Sequence, residues 1–137
     1  MTHLIERKLP AKIEYLQEVI DLLSDVAISK GIASEKVIKM QVVLEEVFVN
    51  ICKYSYNNGN NAGVLIRVWV DSNYIYVEFI DWGKPFNILD SEDPDISLDI
   101  ADREVGGLGI WLVKNLSDEI TYSRDRDKNT LRLAFGF

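Results

Sequence analysis

Apolar and polar residues change their spacing several times along the chain, and each change marks an element. His3 to Leu9 alternates loosely, as a strand does, and stops at Pro10, which has no N–H to give a ladder. From Ala11 to Lys30 the period becomes helical. Ile13, Leu16, Ile20, Leu23 and Ala27 fall on one face, and Gly31 provides the stop. Ser34 is a candidate N-cap for a second helix, whose stripe of Val37, Met40, Leu44, Val47 and Ile51 reaches about Tyr54 before the Asn57-Asn58-Gly59-Asn60-Asn61 cluster ends it.

Val64–Val70 and Tyr74–Ile80 are rich in β-branched and aromatic residues, with Asp71-Ser72-Asn73 as the hairpin turn between them. Trp82 to Val105 has weak periodicity and two prolines, so it reads as a long loop. Gly106 to Leu116 opens on glycines and continues as a short apolar helix. Glu119–Ser123 and Thr130–Phe135 form a closing hairpin. The pattern predicts an α+β two-layer sandwich, a mostly antiparallel or mixed sheet with its helices on one face. Val64, Ile66, Val68 and Val70 alternate with Leu65, Arg67 and Trp69, so the second sheet face is also expected to be covered, by a second copy of the chain.

At 137 residues the sequence fits a single domain spanning 1–137. With 47% hydrophobic and 27% charged residues it has the balance of a folded globular protein. No stretch reads as a leader or a membrane span, which makes a cytoplasmic location the expectation. Cys52 is the only cysteine and His3 the only histidine. An internal disulfide and a thiolate zinc cluster are thereby excluded, and a lone histidine at the start of the chain argues against Ser-His-Asp or Cys-His catalysis. The net charge of −7 argues against direct nucleic-acid binding. Seven acids between Asp90 and Glu104 face Arg103 alone, so this short segment carries −6 of it.

Three patches carry candidate chemistry. Glu46 and Asn50 stand at i and i+4 on the second helix, beside its apolar stripe, where a carboxylate and an amide can serve a hydrated Mg²⁺ and a nucleophile. Asp81-Trp82-Gly83 ends a strand; a carboxylate there can accept from an exocyclic amine, and a glycine permits close approach. Gly106-Gly107-Leu108-Gly109 runs into a helix and offers backbone N–H groups to phosphate. Neither a Walker loop nor a dinucleotide-binding fold fits these glycines. Singly, each patch is also what an ordinary helix edge, turn or helix start would contain.

In this order and spacing the patches resemble the N box and the two glycine boxes of the Bergerat-fold (GHKL) ATPases, which include histidine kinases, type II topoisomerases and heat-shock chaperones. Thr130 matches a fourth position of that family, which helps to hold adenine. Glu46 through Asn50 and Gly106 through Ile110 most resemble the bacterial anti-sigma-factor serine/threonine kinases. Asn50-Ile51-Cys52-Lys53-Tyr54-Ser55 is closer to the histidine-kinase form, in which the lysine nears phosphate and the tyrosine flanks the nucleotide. The resemblance implies ATP and Mg²⁺ as ligands, with Asn50 on the metal and Lys53, Tyr54, Asp81, Gly83, Gly106, Gly107, Leu108, Gly109 and Thr130 around the nucleotide. Residues 88–105 would be the ATP lid and Glu46 the general base. The implied partners are an anti-anti-sigma factor as substrate, a sigma factor, and a second copy in a homodimer. Two other functions stay open: a histidine-kinase-type catalytic domain, and an ATP-dependent binding switch without turnover.

Overall fold

The computed structural model describes residues 3–56, 63–90 and 107–137. Five strands form one sheet: β1 (His3–Pro10), β2 (Gly63–Val70), β3 (Tyr74–Asp81), β4 (Glu119–Asp125) and β5 (Lys128–Gly136). Their order is β1-β2-β3-β5-β4, and each neighbouring pair is antiparallel. Three helices, α1 (Leu16–Ser29), α2 (Ser34–Asn50) and α3 (Gly107–Leu116), complete the α+β architecture. Alternate strand positions such as Val64, Ile66 and Val68 of β2 and Ile75, Val77 and Phe79 of β3 are buried in one core with Leu23, Met40, Leu44 and Phe48 of the helices. Leu131, Leu133 and Phe135 extend the same face on β5.

Local differences from the sequence pattern have physical reasons. A 3-10 turn at Ile13–Tyr15 precedes α1 and has a tighter pitch, so Ile13 falls out of phase and is 52% exposed. The buried face of α1 is instead Val19, Leu22, Leu23, Val26 and Ala27. Gly31, at φ +70°, does stop the helix. Ser34 is the first helical residue rather than the cap, since Ala33 holds that position and makes no side-chain bond. After Asn50 the helix loosens into a π-helical turn, Ile51–Ser55, a distortion often found at functional positions.

The second sheet face departs from its expected apolar character. At its centre lies Glu78, buried, gripped by Arg67 Nη1 at 3.2 Å and by Arg132 Nε and Nη2 at 2.9 and 2.7 Å. Arg67 also pairs with Glu6 at 2.9 Å. Trp69 is buried beneath the two guanidiniums and stacks on Tyr76. A carboxylate so enclosed needs both arginines to balance its lost hydration. The chain therefore shields much of this face with its own charged side chains.

Candidate functional site

The candidate side chains collect where β3 ends and β5 begins, beneath α2. Phe79 is the last apolar residue on the core face of β3, and Asp81 follows it on that face, paired in register with Asn129 of β5. Both are buried, at 3% exposure each. Asp81 Oδ1 accepts from Asn129 Nδ2 at 2.9 Å and from the Gly83 amide at 3.0 Å. Burial raises the Asp81 carboxyl above its ordinary range, while these donors and Arg124 work against the rise. A cavity opens here, lined by Val47, Asn50 and Ile51 of α2 and its extension, by Phe86 and Ile88 after β3, and by Leu131 of β5. Asp81, Asn129, Ser55 and Tyr122 supply its polar groups. Ser55 Oγ is buried, makes no hydrogen bond of good geometry, and lies near enough to Asp81 to help oppose the rise of its carboxyl. A hydroxyl beside a buried carboxylate, in a cavity that mixes apolar walls with a few polar groups, has the chemistry to recognise a small polar ligand.

Gly83 is required by close approach. A Cβ there would lie 2.0 Å from the carbonyl oxygen of Ser55 and 2.5 Å from its carbon, and the next residue, Lys84, donates its N–H to that same oxygen at 2.8 Å. Backbone cannot move aside as a side chain can. Gly83→Ala is expected to destabilise the fold by about 1–3 kcal/mol, the range for overpacking a tight site. Thermal unfolding checks this, and an unchanged midpoint would contradict the contact.

Asn50 and Glu46 sit differently from each other. Asn50 lies within the buried surface of α2 rather than at its edge, is 5% exposed, and donates to the Glu46 carbonyl at 2.6 Å. The apolar stripe is wider than the sequence suggests because Val43 and Phe48 are buried too, which draws Asn50 inside. Glu46 reaches across to the first turn of α3. A Cβ on Gly109 would come within 2.0 Å of its Oε2, so the glycine makes the space that the carboxylate fills. Burial raises the Glu46 carboxyl most, the Glu45 charge adds to this, and Lys53 opposes it.

Other expected residues are spread around this centre. Lys53 is exposed on the π-helical turn, and Tyr54 is 39% exposed and stacks on Phe86 at 5.6 Å between ring centres. Gly107 and Leu108 begin α3. Gly106 and residues 91–105 of the expected lid lie outside the described residues; the remainder of that span includes a 3-10 turn, Ile88–Asp90. Thr130 does not meet the cavity. It pairs with Ile80, and strand alternation sends it to the opposite face from Asn129 and Leu131. Asn129 is the residue that the sequence reading overlooked, and its signal was a polar side chain in phase with Leu131, Leu133 and Phe135. Among the described residues no group of three His, Cys, Asp or Glu side chains is placed to hold a metal.

An α+β sheet with a strand-end carboxylate under a helix carrying Glu and Asn is the arrangement of an ATPase domain. Over residues 9–135 the chain matches the histidine kinase-like ATPase domain, and it belongs to that family. It is similar to the serine-protein kinase RsbW of Bacillus velezensis, 30% identical over 121 residues that span 85% of this chain and 75% of the relative. RsbW of Staphylococcus aureus is 28% identical over 128 residues, with 88% and 79% covered. Among solved structures, the RsbU and RsbW domains of a Mycobacterium tuberculosis protein share the fold, with a TM-score of 0.69 at 13% identity. That match covers 97% of this chain and 32% of the longer one. The histidine kinase domain of a blue-light-activated kinase from Erythrobacter litoralis gives 0.57 at 16% identity, covering 92% of this chain and 60% of that one.

Proposed function

We propose that the protein binds Mg-ATP and transfers its terminal phosphate to a serine of an anti-anti-sigma partner, thereby governing its hold on a sigma factor. The observation that carries the reading is the buried Asp81 carboxylate, whose cavity also holds the buried Ser55 hydroxyl. Adenine presents an amine that such an acceptor can read. The similarity to RsbW, named a serine-protein kinase, favours serine as the acceptor. The only histidine of the sequence, His3, stands on strand β1, away from any helix that could present it as a phosphoacceptor.

The geometry supports a division of labour. Asp81 and Ser55 take the base, with Phe86, Ile88 and Leu131 excluding water around it. The start of α3 would offer its first-turn backbone N–H groups to the phosphates. Asn50 commits its Nδ2 to the helix, which leaves Oδ1 for the cation. Bound Mg²⁺ would neutralise phosphate charge and keep several waters. Glu46, the general base, takes the acceptor hydroxyl's proton, and Lys53 carries positive charge toward the phosphates.

A labelled-ATP assay with the neighbouring gene's product as acceptor tests the reading, since acid-stable phosphoserine supports it. Nucleotide binding without transfer would favour a switch instead. Asn50→Ala is expected to remove the gain in ATP affinity that Mg²⁺ gives. It should also cost about 1 kcal/mol of stability for the lost hydrogen bond. Calorimetry with and without Mg²⁺ reads the first, and an undiminished gain would remove Asn50 from the metal.

The protein is proposed to act in the cytoplasm, in keeping with the finding that no helix among the described residues is long and apolar enough to cross a membrane. A homodimer is part of the proposal. The edge strand β1, with Leu4 37% exposed, supplies a surface for it. Sedimentation as a monomer at high concentration would remove the dimer.

A further inference from the structure

Asn129 is more completely engaged than its place on a strand requires. Its two Nδ2 hydrogens go to different acceptors, Asp81 Oδ1 at 2.9 Å and the Lys84 carbonyl at 2.8 Å. Its Oδ1 accepts from the Tyr122 hydroxyl. The amide can therefore face only one way, because turning it would set a carbonyl oxygen against a carboxylate and a second carbonyl. From the same hairpin, Arg124 Nη1 donates to the Gly83 carbonyl at 2.7 Å. The β4–β5 hairpin thus grips the segment after β3 at Asp81, Gly83 and Lys84.

This grip fixes one oxygen of Asp81. Oδ1 is filled by the Asn129 amide and the Gly83 N–H, so the carboxylate's other oxygen, with only the Ser55 hydroxyl near the carboxyl and no hydrogen bond of good geometry from it, is the one left for a donor entering the cavity. We propose that Asn129, locked by Tyr122, is a positioning residue that aims the free oxygen of Asp81 at the amine of an adenine base and so sets the preference for adenine. The proposal rests on the reading that this cavity takes a nucleotide base. Neither Asn129 nor Tyr122 needs to touch the reacting phosphate. They act through Asp81, and their effect should appear only for ligands that carry the amine.

The test compares Mg-ATP with the triphosphate of purine riboside, which has the same ring and phosphates but lacks the 6-amino group, by calorimetry. For the parent, ATP should bind more tightly than the analogue. Asn129→Leu should weaken ATP about tenfold, the worth of one aimed hydrogen bond, while changing the analogue less than about twofold. Tyr122→Phe is the milder variant and keeps the ring. It should weaken ATP about threefold in the same selective way, by freeing the amide to turn. Equal losses for both ligands would show that the residues only hold the fold, and would overturn the proposal. Retained discrimination in folded Tyr122→Phe and Asn129→Leu proteins would overturn it too. A parent that binds neither ligand would instead strike at the nucleotide reading itself, a result distinct from either.

Discussion

Glu46→Gln is expected to leave Mg-ATP binding nearly intact and to cut phosphate transfer roughly 10²–10⁴-fold, the usual worth of a general base. Glutamine keeps the shape that fits against Gly109 but cannot take a proton. The pH dependence should carry the same signature. If Glu46 is the proposed base, it must be ionised to act, so the rate should rise with pH through a midpoint above the ordinary carboxylate range, because burial raises this group. Glu45 adds to the rise, hence Glu45→Gln should move the midpoint down while leaving the rate at neutral pH little changed. Lys53 opposes it, and Lys53→Met should move the midpoint up. The same shift has a stability side. The folded chain holds this proton more tightly than the unfolded one, so the contribution is full at low pH and is lost as pH rises through the folded midpoint. Equal losses of transfer from Glu46→Gln and Glu45→Gln would mean that acidity along the helix, and not a placed base, controls the rate.

Gly109→Ala is expected to lower transfer about 100-fold without unfolding the protein, since a displacement near 1 Å of a reacting group can cost that much. The added methyl would meet the Glu46 carboxylate at 2.0 Å, and the far end of a side chain can swing away. Alanine is also the better helix former, by about 1 kcal/mol, so stability should hold or improve. Combined with Glu46→Gln, the change should add little further loss, because both act on one group. Unimpaired transfer in folded Gly109→Ala protein would show that the carboxylate's seat against α3 does not matter.

Much of this arrangement is legible in the sequence because it rests on periodicity. The strand runs, the Gly31 stop and the stripe of α2 are repeated signals, and each recurs in the structure at nearly the expected place. Asn50 and Thr130 were less legible. Whether Asn50 lies inside or beside the stripe depends on how deeply α3 and the sheet bury that part of α2, which no local pattern states. Thr130 and Asn129 differ by a single step on a strand, and a single step reverses the face. Ser55 escaped notice as a cavity residue because the π-helical turn, and not its spacing on a regular helix, brings its hydroxyl beside Asp81.

Helix α2 and its π-helical turn also act as a spacer. The turn is fastened to the loop after β3 through the Ser55 carbonyl, and Glu46 rides on the same rod nine residues earlier. At helical rise this interval is roughly 13 Å, a fixed length between the end proposed to hold the base and the end proposed to handle the proton. Adding or deleting one residue between them would turn Glu46 about 100° relative to Ser55 as well as change the length. The chain can vary its side chains along this rod far more freely than it can vary their number.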